Sequence, residues 1–181
     1  LYEGYASAIC RSDVIRYFLL KKFGGIYVDL DFECLQSFDD LLIKKELVLG
    51  LEPETHVRMH EQKSGLSFVV CNAFMASRPE HPFWDHVIKN LSAECHKSDP
   101  LDATGAFFLT RAFVTYALRD QITILPSDLI YPVDAHDCQK GRLFDPQQWL
   151  HLTSKAYAVH HWAGSWRRRF TSRESLPCAE V

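Results

Sequence analysis

An α/β layered fold is predicted by three observations. Short β-branched and aromatic runs (Ile26-Tyr27-Val28, Leu47-Val48-Leu49, Phe68-Val69-Val70-Cys71, Ile122-Thr123-Ile124-Leu125, Ala156 to His160) alternate with helical stretches along the chain. Several of these runs are apolar at consecutive positions, as strands covered on both faces are. No internal repeat, low-complexity tract or Gly/Ser linker interrupts the alternation. The sequence has 181 residues, 47% of them apolar, enough to bury a sizeable core without staples. One domain over residues 1–170 is expected, with 171–181 as a flexible tail. Because the chain opens at Leu1 without a Met or signal peptide, it reads as beginning in mid-domain.

In chain order, the first element is a helix from about Tyr5 to Phe23, with Val14, Ile15, Phe18 and Leu19 as its buried stripe. Gly24-Gly25 ends it, since Gly accepts the left-handed conformation of helix termini. The Ile26 strand follows at once. Glu52 to Ser67, polar and punctuated by Pro53 and Gly65, reads as a long loop carrying His56 and His60 in solvent. Pro82 opens a helix through Leu91, and Gly105 to Leu118 forms an apolar one with Phe107, Phe108 and Phe113 in the core. Leu129-Ile130-Tyr131 reads as a further strand.

Composition excludes several classes. With 20 basic and 23 acidic side chains the net charge is −3, without the basic excess of a nucleic-acid binder. No apolar run in this chain approaches the ~20 residues that span a bilayer. The six Cys are scattered without a CxxC, which excludes a zinc ribbon or redox pair and leaves disulfide pairing open.

The chemistry concentrates at Asp29-Leu30-Asp31, directly after a strand. In extended backbone residues two apart share a side, so both carboxylates are expected to face one space while Leu30 points to the core. Two close carboxylates repel, and a divalent cation removes that repulsion; Mn²⁺ or Mg²⁺ suits carboxylate oxygens and leaves positions for phosphate. Asp13 and Arg16, three apart on the preceding helix, lie on one face, and the Gly24-Gly25 turn returns that face to the two acids. Arg167-Arg168-Arg169 reads as a solvated basic end.

Residues 8–31, running Ala8-Ile9-Cys10-Arg11-Ser12-Asp13-Val14-Ile15-Arg16-Tyr17 and then Gly24-Gly25-Ile26-Tyr27-Val28-Asp29-Leu30-Asp31, resemble the signature of the DxD-containing sugar transferases of glycosyltransferase family 32. Asn72-Ala73-Phe74-Met75-Ala76-Ser77 with Pro79-Glu80-His81-Pro82-Phe83 is similar to a second family segment. Thr104-Gly105 resembles the family's T-G-P with Ala106 in place of the Pro, and Ala158 to Trp166 resembles its H-x-W…S-W ending.

The resemblance implies a GT-A (Rossmann-like) nucleotide-sugar transferase fold, a mixed sheet flanked by helices, lacking its N-terminal strand or strands. It implies a metal-dependent, retaining hexosyltransferase that takes a UDP- or GDP-hexose donor to a glycan or glycolipid acceptor, in a Golgi setting if eukaryotic. By resemblance, Asp13, Arg16, Asn72 and Asp29 contact the donor sugar, and Asp29, Asp31 and one of His160 and His161 hold Mn²⁺ or Mg²⁺. Neighbouring strand residues face opposite ways, so one of the two His is expected at the metal, His160 being favoured. Ser165 and Trp166 are implied as diphosphate contacts, and no carboxylate stands out as a nucleophile. The alternative is a catalytically silent or partial domain that binds nucleotide sugar. A metal-dependent phosphohydrolase fits less well, because it calls for more acidic ligands.

Overall fold

The computed structural model describes residues 4–5, 7–139 and 145–164. Ser165, Trp166, the Arg167–Arg169 run and the expected tail 171–181 lie outside the described residues.

The architecture is mixed α/β, a mixed sheet flanked by helices. Helix α1 (Ala8–Phe23) leads through Gly24 into strand β1 (Gly25–Val28), followed by β2 (Phe32–Cys34), α2 (Asp39–Leu42), β3 (Leu47–Leu51), α3 (Glu54–Ser64) and β4 (Val70–Ser77). The second half contains α4 (Pro82–Glu94), α5 (Pro100–Ala103), α6 (Ala106–Thr115), β5 (Thr123–Leu125), α7 (Ser127–Ile130), α8 (Ala135–Gln139), α9 (Pro146–Thr153) and β6 (Ala158–His160). The main sheet has the order β1-β4-β3-β5; β4 runs antiparallel to both neighbours and β5 parallel to β3. A separate ribbon pairs β2 antiparallel with β6, matching Phe32 to His160.

Side-chain alternation divides the core. Leu47 and Leu49 of β3, with Met75 of β4, face Val14, Tyr17, Trp84, Leu91 and Leu109 of the layer formed by α1, α4 and α6. Val48, Cys71 and Phe74 face Leu125, Ile130 and Tyr131 on the opposite side. Proline at the first turn and a side-chain cap start both α4 and α9: His81 accepts from the Phe83 amide, and Asp145 from those of Gln147 and Gln148.

Four elements differ from the expectations of the sequence. On α1 only Val14 of the expected stripe is buried; the inner face is Cys10, Asp13, Val14, Arg16, Tyr17 and Leu20, and Ile15, Phe18 and Leu19 are exposed. Paired charges have taken the place of aliphatics in the interior. The segment after Glu52 is helix α3, stopped at Gly65 in left-handed conformation, because a polar sequence without internal breakers still closes its own backbone bonds. Leu129 and Ile130 belong to the short helix α7 behind Pro126. Leu30 is fully exposed at the tip of a turn closed by the Phe32 amide on the Asp29 carbonyl, so strand alternation has ended before it. Cys10, Cys34, Cys71 and Cys138 are free thiols. No helix among the described residues is long and apolar enough to cross a membrane.

Gly24 carries the close helix-to-strand turn. Its φ is +63°, and a Cβ there would lie 2.5 Å from the Pro79 nitrogen and 2.7 Å from the Ser77 carbonyl. Backbone atoms cannot yield as a side-chain tip does. Gly24→Ala is expected to lower unfolding free energy by about 2–5 kcal/mol, combining left-handed strain with overpacking, as read by urea denaturation.

Candidate functional site

Two residues of α1 begin the site. Asp13 and Arg16 face inward at 4% and 3% exposure, a depth charged side chains reach only when paired. Arg16 supplies the pairing: one guanidinium nitrogen lies 3.1 Å from Asp13 Oδ1, and the other lies 3.2 Å from Asp29 Oδ1 and donates to the Asn72 carbonyl at 2.8 Å. Its plane covers the Tyr27 ring at 4.5 Å, and the Tyr27 hydroxyl donates to Asp29 Oδ1 at 2.8 Å. Asp13 Oδ1 also accepts from the Asn72 amide at 2.9 Å, while Oδ2 accepts from the Thr104 hydroxyl at 2.8 Å.

Asn72 reaches this network through an irregularity that the sequence does not announce. Across β3 and β4, Leu49 pairs with Met75 and Gly50 with Cys71, so residues 72–74 bulge out of the ladder. Bulges re-aim side chains beside functional sites. Here the bulge turns Asn72 to Asp13, and its neighbour's carbonyl, Ala73, accepts from the Asp29 amide at 2.9 Å. Asn72 thus stands within β4, not in a turn.

One guanidinium thus serves two carboxylates. Burial pushes the Asp13 carboxyl up from 3.8 to about 6, against the opposing pull of Arg16 and Thr104. For Arg16, burial is outweighed by Asp13 and Asp29, which hold it charged. A carboxyl raised in the folded state stabilises below its unfolded value, and that contribution is lost as pH rises through the folded one. Each pH unit between 3.8 and about 6 is worth about 1.4 kcal/mol, at most about 3 kcal/mol in all. Relative to Asp13→Asn, the unmodified protein should lose up to that amount between pH 4 and 6.5. Paired urea titrations across that range test it, and parallel curves would refute it.

The turn after β1 then presents the second half of the site. Asp29, Asp31 and His160 each offer a ligand atom, all within 4.8 Å of one another. His160 Nε2 lies 3.0 Å from Asp31 Oδ1, the Ala163 amide donates to Asp31 Oδ2 at 2.8 Å, and the His161 amide donates to the Asp31 carbonyl at 2.8 Å. The His160 hydrogen bond, with help from the Ala163 amide and against burial, holds the Asp31 carboxyl down at about 2. His160 Nδ1 is buried without a hydrogen-bond partner, so half of that ring's polar capacity is unused. Two hard carboxylates and one imidazole fit Mn²⁺ or Mg²⁺.

His161, one residue past β6, turns the other way, 3.1 Å from Glu33 and stacked on Trp149. Asp102 is engaged by Arg111 at 2.8 Å, away from this network. Residues that sequence reasoning left out of the site are Tyr17, Tyr27 and Thr104, all of them inside the quoted motifs. His56, expected in solvent, is 4% exposed and sits against Trp162.

Residues 1–48 match a family model described as a glycosyltransferase sugar-binding region containing a DXD motif. Inositol phosphoceramide mannosyltransferase 1 of Schizosaccharomyces pombe is 33% identical over 138 residues, 72% of this chain and 39% of that protein. Mannosyl phosphorylinositol ceramide synthase CSH1 of Saccharomyces cerevisiae is 38% identical over 90 residues, 50% of this chain and 20% of that protein. Lactosylceramide 4-alpha-galactosyltransferase of Rattus norvegicus is 28% identical over 161 residues, 83% of this chain and 40% of that protein. The chain therefore spans less than half the length of each of these relatives.

Proposed function

We infer that this chain, whose residues 1–48 belong to the DXD-containing glycosyltransferases, carries the cation and donor-sugar part of a hexosyltransferase. The observation that carries the reading is the convergence of Asp29, Asp31 and His160 beside the buried Asp13–Arg16–Asn72 network. Asp29 belongs to both groups, so sugar and cation meet at one carboxylate.

The donor is a nucleoside diphosphate hexose. Asp29, Asp31 and His160 would hold Mn²⁺ or Mg²⁺, which would supply Lewis-acid neutralisation of diphosphate charge, the main electrostatic task in glycosyl transfer. The protein's own residues do the rest. Arg16 fixes the rotamer of Asp29, Tyr27 holds the same oxygen from the other side, and Asp13, Arg16 and Asn72 present a polar edge already organised before the sugar arrives. Ser165 and Trp166 are kept as diphosphate contacts on the strength of the motif alone. Retention at the anomeric carbon follows the family resemblance, and no carboxylate is assigned as nucleophile.

Relatives named for inositol phosphoceramide and lactosylceramide support a glycolipid acceptor. A Golgi setting accompanies that chemistry. The test is transfer and donor hydrolysis by the full-length protein over a panel of UDP- and GDP-hexoses, with Mn²⁺ and with chelator. Turnover with one donor, lost on chelation, is expected. Turnover indifferent to chelation sinks the cation assignment, and donor binding without turnover favours the silent sugar-binding alternative.

A further inference from the structure

Trp162 has a backbone conformation that a bulky residue avoids. Its φ is +50°, in the left-handed region, and such strain persists where the surroundings impose it. The residues on either side account for it. The His161 amide donates to the Asp31 carbonyl and the Ala163 amide to Asp31 Oδ2, both at 2.8 Å. A left-handed residue between them curls the chain so that the amides of residues 161 and 163 grip one aspartate at two points, its main-chain carbonyl and its carboxylate.

The ring is held as firmly as the backbone. It meets the His160 ring edge-on at 4.2 Å and the His56 ring edge-on at 4.4 Å, and its indole N–H donates to the Val133 carbonyl at 2.7 Å. His56 is itself fixed. The Ala135 amide donates to His56 Nε2 at 2.9 Å, which puts the ring proton on Nδ1, facing Glu52 Oε2 at 3.1 Å. Glu52, His56 and Trp162 thus form a buttress that runs from the end of β3 through α3 to the back of His160.

We propose that Trp162, braced by the Glu52–His56 pair, is a positioning residue for the cation site, orienting Asp31 through its backbone and His160 through its ring. The proposal rests on the cation assignment made above. Groups behind metal ligands typically alter affinity by about 10–100-fold when removed. Trp162 acts on two ligands at once, and nothing else among the described residues places a ring against both His56 and His160.

The experiment is Mn²⁺ titration of the full-length protein by electron paramagnetic resonance, with circular dichroism and urea denaturation on every variant. Trp162→Ala is expected to weaken Mn²⁺ by about 10–100-fold, and Trp162→Phe, which keeps an aromatic wedge, by less. Glu52→Gln, remote from the cation, should also weaken it. Leu91→Ala, in the core away from the site, should lower stability without changing Mn²⁺ affinity. Wild-type affinity in folded Trp162→Ala overturns the proposal. If that variant does not fold, unchanged affinity in Trp162→Phe overturns it instead. Absence of Mn²⁺ binding by the wild-type protein defeats the cation assignment itself, and the positioning role with it.

Discussion

On the proposed cation site, Asp31→Asn should lower transfer by at least about 100-fold, because losing a ligand carboxylate weakens hold on the cation that would neutralise the departing diphosphate. The substitution is close to isosteric. Its amide can still accept from Ala163 or His160, and the His161-to-Asp31 main-chain bond is untouched, so the β2–β6 ribbon keeps its register. What disappears is the charge. In the folded protein this carboxyl is held at about 2, chiefly by His160, and is therefore ionised throughout the physiological range. A folded-state value below the unfolded one adds stability above pH 4 that is lost as pH falls through about 2, so Asp31→Asn should also forfeit that contribution at pH 7, which urea denaturation reads beside the activity. Measurement of kcat/KM and Mn²⁺ affinity together decides it. An Asp31→Asn protein within threefold of wild type on both would remove Asp31 from the site.

Arg16→Ala should act first on the stability of the fold. The guanidinium is 3% exposed and joins Asp13, Asp29 and the Asn72 carbonyl while lying on Tyr27. Its removal leaves the Asp13 and Asp29 carboxylates without their shared partner, and no other basic side chain among the described residues pairs with either. Breaking a buried pair in this manner costs about 3–5 kcal/mol. In a domain of this size that corresponds to a fall of roughly 6–20 °C in Tm. Arg16→Lys should recover only part, because one ammonium cannot span acceptors that a planar fork reaches together. Differential scanning calorimetry of both variants provides the check; a loss below 1 kcal/mol for Arg16→Ala would mean that water, not protein, satisfies these acids.

Much of this arrangement was legible in the sequence because it is local. Gly24-Gly25 between an amphipathic stretch and Ile26-Tyr27-Val28 dictates helix, turn and strand, and the fixed spacing from Asp13 to Asp31 brings one helix face to one strand end. Alternation carried one residue past Ala158–His160 separates the two His, one toward Asp31 and the other toward Glu33. The misreadings have a common cause, the interior's acceptance of polar groups that find partners far away in sequence. Hydrophobicity put Ile15, Phe18 and Leu19 inside, whereas Arg16 claimed that face through Asn72, 56 positions later. His56 looked solvated because Trp162 and Ala135, which bury it, lie in the last third of the chain. The bulge over residues 72–74 carries no local signal, since it is set by how β3 and β1 grip β4 at once.

Asp31 and His160 are 129 residues apart, and they meet through a ribbon of three paired positions. Contacts of such long range close late, after the entropy of the intervening loop has been met by the sheet and helices between them. The proposed cation site thus takes shape only once the ribbon closes over the elements between its two ends. A ligand that recognises the closed pair and not the open chain shifts the folding equilibrium by mass action. On the proposed cation assignment, apparent ion affinity is therefore also a gauge of the folded fraction, and a lesion between β2 and β6 severe enough to unfold part of the population can register there without touching a single ligand.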